Sequence, residues 1–191
     1  MKKVWVLLLL FLPWIGEAQR VVLEEDFEEC TPPAFPQGWR VVNQNGDIDS
    51  FEVFENANYN HTPGGTKCAR YKYNPHLSAD DWFITSEIPL IPSYTYKLTF
   101  WYRARFALCP ESFEVYLLEH QVPLGAFMLL RSYDGVTNEE YSKDSIIFIA
   151  PDFDSCYLGF RCMSDTNGRY LYLSLIHISE PTRPLYISYA V

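Results

Sequence analysis

The sequence is poor in the residues on which enzymes and metal centres are commonly built. Its 191 residues include only 4 His and 3 Met. His61, His76 and His120 show no metal-ligand spacing, and the Gly-x-Ser-x-Gly elbow of α/β-hydrolases is absent. The 5 cysteines, Cys30, Cys68, Cys109, Cys156 and Cys162, contain no Cys-x-x-Cys, which removes zinc knuckles and dithiol redox motifs. An odd count cannot pair completely. Cys156 and Cys162 lie on one expected strand, about 20 Å apart if extended, and cannot bridge each other. Buried thiols acting as small apolar side chains are as good a reading as disulfides. The acidic pairs Asp80-Asp81 and Glu139-Glu140 are adjacent in sequence, so on a strand they point to opposite faces and cannot flank one glycosidic bond. No catalytic constellation remains, and the chain reads as a non-enzyme.

Helical signal is missing too: nowhere do ten residues carry a 3.6-residue apolar period with caps. Cations are scarce, with 15 Lys and Arg against 24 Asp and Glu and a formal net charge of −9. A body so acidic is not expected to bind nucleic acid or anionic lipid, whereas it suits cations. Long apolar runs occur only at the start. Residues 1–18 have a short basic beginning, an apolar run too short to span a bilayer easily, and small residues at Gly16 and Ala18. That pattern is a cleaved secretory signal, after which no membrane insertion is expected.

The other end is anomalous. Leu173-Ser-Leu-Ile-His-Ile-Ser-Glu-Pro-Thr-Arg183 and Ile187-Ser-Tyr-Ala-Val191 are what two segments of a sequencing-library transposase adapter encode in one frame, separated by three index residues. Residues 173–191 are therefore set apart as a sequencing artefact. Residues 19–172 form the expected domain, truncated at its C-terminus and long enough for one core.

What is abundant is alternation. Tyr96, Leu98, Phe100 and Tyr102 fall on one face of a strand, with Lys97, Thr99, Trp101 and Arg103 on the other. Similar short runs recur near residues 21–28, 39–42, 50–54, 68–73, 112–118, 144–149, 156–162 and 169–172. Phe113, Val115 and Leu117 are expected to point inward. Between the runs stand turn signals such as Asp134-Gly135, Ala150-Pro151 and Asn167-Gly168. Eight or more short strands in one domain imply an all-β protein, most simply a jelly-roll β-sandwich.

Four stretches carry a resemblance: Glu25-Asp-Phe-Glu28; Pro36-Gln-Gly-Trp39 with Asn45-Gly-Asp-Ile-Asp49; Asp80-Asp-Trp-Phe-Ile-Thr85; and Leu98-Thr-Phe-Trp-Tyr102 with Glu111-Ser-Phe-Glu-Val-Tyr116. Together, over residues 22–172, they resemble the choice-of-anchor J, or cleaved-adhesin, domains of secreted Bacteroidota proteins. Those domains are relatives of the gingipain adhesin modules and akin to MAM domains. The resemblance implies a jelly roll, a secreted or cell-surface setting, and structural calcium. The chain departs from the pattern at its end, where Tyr170-Leu-Tyr172 runs into Leu173-Ser174 in place of an acidic pair.

Calcium takes six to eight oxygens from Asp-rich and Asn-rich loops. The expected ligands are drawn from Asp26, Glu28, Asp47, Asp49 and Asp81. An EF-hand is excluded, since no register of the 43–49 loop places its Gly and closing Glu correctly. Aromatics make up 17% of the chain. Trp39 and Trp82 are read as core, and Trp101, opposite Phe100, as the platform for a sugar ring. The sequence reading is thus a noncatalytic module binding a surface glycan or protein. The alternative is an accessory domain of a larger secreted peptidase or glycoside hydrolase.

Overall fold

The computed structural model describes residues 20–153 and 155–180. The expected signal at 1–18 lies outside them, as do residues 181–191. Eleven strands account for nearly all regular structure among the described residues. They are β1 (Val21–Glu25), β2 (Arg40–Asn43), β3 (Phe51–Glu55), β4 (Lys67–Lys72), β5 (Asp81–Ile84), β6 (Thr95–Ala104), β7 (Glu111–Leu118), β8 (Ala126–Val136), β9 (Ser142–Ile149), β10 (Tyr157–Cys162) and β11 (Tyr170–Ser179). Every pairing is antiparallel.

Sheet A runs β3-β4-β11-β6-β9, and sheet B runs β2-β5-β10-β7-β8. β1 joins sheet A against the second half of β11, on the edge whose first half is taken by β4. The two sheets close on each other as a jelly-roll sandwich. Among the described residues no helix is long and apolar enough to cross a membrane.

The inner faces follow the period of two. Tyr96, Leu98 and Phe100 on β6 are fully buried, as are Phe113, Val115 and Leu117 on β7. Their rings meet those of β5 and β10: Phe100 lies 5.2 Å from Phe160, which stacks on Phe83 at 4.8 Å. Trp39 packs against this core, 5.9 Å from Phe83. Cys30, Cys68, Cys156 and Cys162 are free and buried, and Cys109 is free and partly exposed. Burial pushes the Cys30 thiol up to about 11 and the Cys68 and Cys156 thiols up to about 12, so these groups behave as inert packing.

Three local outcomes differ from the sequence reading. Asp134-Gly135 is not a hairpin turn. It lies inside β8, where Gly135 takes φ 66 and the register with β7 slips. That is a bulge, and the reversal comes later, before β9. Trp82 is buried, but in a second cluster with Ile84 and Leu118, on the outside of sheet B. Gly159 lies beneath it. A Cβ there would sit 2.9 Å from Leu118 Cδ1 and 3.3 Å from the Trp82 ring, so a larger residue would push both side chains off the position they take. Finally, residues 173–179, set apart on sequence grounds, form most of β11. That position asks only for alternating apolar side chains, which Leu173, Ile176 and Ile178 supply. The register breaks between Ser174 and His177, where Leu175 is left-handed at φ 49.

Candidate functional site

The five expected metal ligands fall into two groups. Asp26 and Glu28 follow β1, around Phe27 at φ 70. The Asp26 carboxylate accepts the Glu28 N–H at 3.0 Å. The Glu28 carboxylate accepts the N–H groups of Thr66 and Lys67 at 2.8 to 3.0 Å. Lys67 Nζ in turn donates to the carbonyls of Glu28 at 2.7 Å and Cys30 at 2.9 Å. A carboxylate so occupied by backbone donors is a clasp for the 56–66 loop, and the cation beside it is the lysine's own. Gly65 is part of the clasp, for a Cβ would lie 2.3 Å from Glu28 Oε1.

The second group closes one end of the sandwich. The 43–49 loop wraps around the Asn43 side chain, whose Nδ2 donates to the carbonyls of Asp47 (2.8 Å) and Asp49 (2.9 Å). The Asp47 carboxylate accepts the Asp49 N–H at 2.8 Å and the Asn45 amide at 3.1 Å. Asp49 is buried and paired with Lys72 Nζ at 2.9 Å and Asn74 Nδ2 at 3.2 Å. Asp81 differs from all of these. It heads β5 opposite Cys162 and Asn43 and is fully buried; no donor meets either carboxylate oxygen in good hydrogen-bond geometry, and only the Ser50 hydroxyl and the Asp80 N–H approach closely enough to favour its ionised form. The Ser50 hydroxyl is also buried without a partner in that geometry. Burial pushes the Asp81 carboxyl up to about 6, with Ser50 tempering the rise and the negative charge of Asp47 adding to it. Among the described residues no three His, Cys, Asp or Glu side chains are arranged as a metal cage.

Trp101 lies where alternation places it, on the outside of sheet A, half-buried and paired in register with Lys143 of β9 and Ser174 of β11. Its ring borders a depression of about 240 Å³ lined also by Glu24, Glu25, Thr99, Lys143 and the 175–177 segment. One side of the ring is covered by His61, with centroids 3.7 Å apart. Burial lowers the basicity of His61. The Glu25 carboxylate already accepts the Phe27 N–H, and the remaining acidic and ammonium groups beside the indole can meet the hydroxyls and the apolar face of a sugar. Lys143 and His61 were missed from the sequence. Lys143 was legible by counting back in twos from outward-facing Ile147, while His61 comes from a loop whose path no periodicity announces.

No family model matches the sequence, and no curated protein matches it. Solved structures do match. The K1 cleaved adhesin domain of Lys-gingipain from Porphyromonas gingivalis W83 superposes with a TM-score of 0.67 at 19% identity, covering 84% of this chain and 98% of that one. The K3 domain of the same protein gives 0.65 at 20%, covering 85% and 99%. The CBM22-1 xylan-binding domain of Paenibacillus barcinonensis Xyn10C gives 0.60 at 13%, covering 87% and 98%.

Proposed function

We propose that the chain is a noncatalytic binding module, secreted or displayed at a cell surface, that holds a glycan against Trp101. At these identities the likeness to solved structures is one of fold, and the fold is that of the cleaved adhesin domains. The observation that carries this reading is the Trp101 depression itself: a ring flanked by Glu24, Glu25, Thr99 and Lys143 on an outer sheet face. Leu175, Ile176 and His177 come from the stretch set apart above, and Glu24 and Glu25 are held beside it by pairing with His177 and Ile176, so Trp101, Thr99 and Lys143 are the residues placed independently of that stretch. That domains of this fold are named for xylan binding and for adhesion supports a binding role.

A glycan array read with and without calcium supplies the ligand, and the Trp101→Ala variant supplies the test. Loss of the ring is expected to weaken binding about five- to tenfold, the equivalent of about 1 to 1.5 kcal/mol of ring contact. Trp101→Phe is expected to recover part of it. Binding that ignores Trp101→Ala removes the site from consideration.

Calcium belongs to the same proposal. The residues at the Asp81 end fit a hard cation, because two carboxylate oxygens and the Ser50 hydroxyl are buried without partners in good geometry while Asp47 lies close enough to raise the Asp81 carboxyl. Asp81 would hold the ion with Ser50 beside it, while Asp47, whose carboxylate already accepts the Asp49 N–H and the Asn45 amide, would lend negative charge from the loop. A bound ion would supply charge neutralisation there and tie β5 to the 43–49 loop. Asp49 already faces Lys72, and Asp26 and Glu28 already face backbone donors, so these three contribute through the loops they brace.

A further inference from the structure

On the same outer face of sheet A, beyond His61, guanidinium groups and rings alternate. Arg103 lies over the rings of Tyr59 (5.3 Å), Tyr141 (5.8 Å) and Tyr172 (5.8 Å). Arg105 lies over Tyr59 (4.8 Å), Phe106 (5.1 Å) and Tyr170 (5.2 Å). Both arginines thus flank the one Tyr59 ring, which stacks on Tyr172 at 4.9 Å and 6°. The rings fix the planes of the guanidiniums without using their N–H edges. Arg103 gives one N–H to the chain, from Nε to the Ala104 carbonyl at 3.2 Å, and Arg105 gives one, from Nη1 to the Tyr172 hydroxyl at 3.3 Å.

Neither meets a carboxylate within ion-pair distance among the described residues. Arg70, the next arginine along the row, is different, since Glu52 takes its guanidinium. In a chain of 24 acidic and 15 basic residues, two adjacent arginines held by rings and left without a carboxylate mark a place where the carboxylate comes from outside.

We propose that Arg103 and Arg105 form a second binding site, for an acidic polysaccharide whose charge is a uronate carboxylate. A planar carboxylate fits the guanidinium fork with two parallel hydrogen bonds, and an adjoining sugar ring can lie on Tyr59 or on Phe106, which is 42% exposed. The net charge of −9 does not prevent this. At physiological salt the screening length is about 8 Å, so distant carboxylates are muted while the fork acts at contact distance. None of these residues belongs to the 173–191 stretch, and the site stands whether or not Trp101 binds a neutral glycan.

The test is calorimetric titration of the purified chain with polygalacturonate at about 0.15 M salt. Dextran sulfate, neutral dextran and a single-stranded dT oligonucleotide are run beside it. Polygalacturonate is expected to bind and neutral dextran not to bind. Arg103→Gln with Arg105→Gln is expected to weaken polygalacturonate about tenfold or more, since the variant loses both charge-assisted forks. Arg40→Gln removes an arginine of sheet B that also faces no carboxylate, and is expected to change binding less than about twofold. Should the Gln pair fail to fold, Arg103→Lys with Arg105→Lys keeps both charges, loses the fork, and is expected to show the same loss.

Polygalacturonate binding lost in the double variant upholds the site, whether or not dextran sulfate also binds. The site is overturned by no polygalacturonate binding, by binding indifferent to the double variant, by dextran sulfate binding alone, or by tighter binding of the oligonucleotide. The Trp101→Ala variant is expected to leave polygalacturonate bound, which keeps this result separate from the neutral-glycan one.

Discussion

Asp81→Asn is expected to raise the melting temperature at pH 7 in the presence of chelator, by about 4 to 8 °C. The carboxylate of Asp81 is fully buried, and the approach of the Ser50 hydroxyl and the Asp80 N–H offsets only part of the desolvation, so ionising it in the folded protein is costly. Its folded value, pushed up to about 6, lies above the 3.8 of an ordinary aspartate. The folded state therefore binds the proton more tightly than the unfolded state. The penalty is absent below about pH 4, grows as pH rises toward 6, and reaches about 3 kcal/mol above that. Asn removes the charge at nearly the same volume, and its amide brings both a donor and an acceptor to the buried position. Allowing for an imperfect amide hydrogen bond, about 2 kcal/mol of gain remains, and each kcal/mol moves the melting point of a domain this size by about 2 to 4 °C.

Calcium is expected to invert that order. An ion held at Asp81 would stabilise the folded wild type by about 2.7 kcal/mol at a hundred times its dissociation constant, and would stabilise the Asn variant much less. In saturating calcium the wild type should therefore match or exceed the variant. Thermal melts of both proteins at pH 4, 6 and 7, with chelator and with calcium, read all of this together. A variant less stable than wild type in chelator at pH 7 would show that the carboxylate is not under strain. An equal calcium shift in both proteins would place the ion elsewhere.

How far such features can be read from sequence depends on whether they are local. The β6 face was legible because Tyr96, Leu98, Phe100 and Trp101 need only the period of two, and the same rule put Phe113, Val115 and Leu117 inside. Trp82 obeyed the rule as well, but its burial depends on Gly159 of β10, a neighbour that only the register supplies. β8 escaped because Asp-Gly is a strong turn signal, and a bulge answers to the same dipeptide.

The acidic residues show the limit most plainly. Asp26, Glu28, Asp47, Asp49 and Asp81 look alike along the chain, yet four meet donors or cations in hydrogen-bond or ion-pair geometry and Asp81 meets none in that geometry. That distinction is made by Thr66, Lys67, Lys72 and the strand neighbours of Asp81, which arrive from other elements. The Arg103 and Arg105 row is equally non-local, since its rings come from a loop, from β11 and from the turn before β9.

Phe83→Ala is expected to be the most damaging single truncation, lowering stability by about 4 kcal/mol and the melting point by about 8 to 16 °C. Phe83 sits at the middle of β5, fully buried, and four rings meet it: Phe160 at 4.8 Å, Phe51 at 4.9 Å, Phe35 at 5.1 Å and Trp39 at 5.9 Å. Those partners belong to β10, β3 and the Pro-rich loop before β2, so one side chain joins both sheets and pins the loop that leads into sheet B. Removing the ring opens a cavity that three separate backbone segments would have to move together to fill, and interiors packed to crystal density do not relax that way.

A domain of this size has about 5 to 15 kcal/mol in total, so the variant should be near the margin of folding, and urea melts at low temperature are the suitable measurement. Ile147→Ala is the matched control: the same kind of strand position, but 70% exposed on the outer face of sheet A, and expected to change stability by no more than about 0.5 kcal/mol. If the two truncations cost the same, Phe83 is not at the junction of the sheets and the sandwich described here is wrong at its centre.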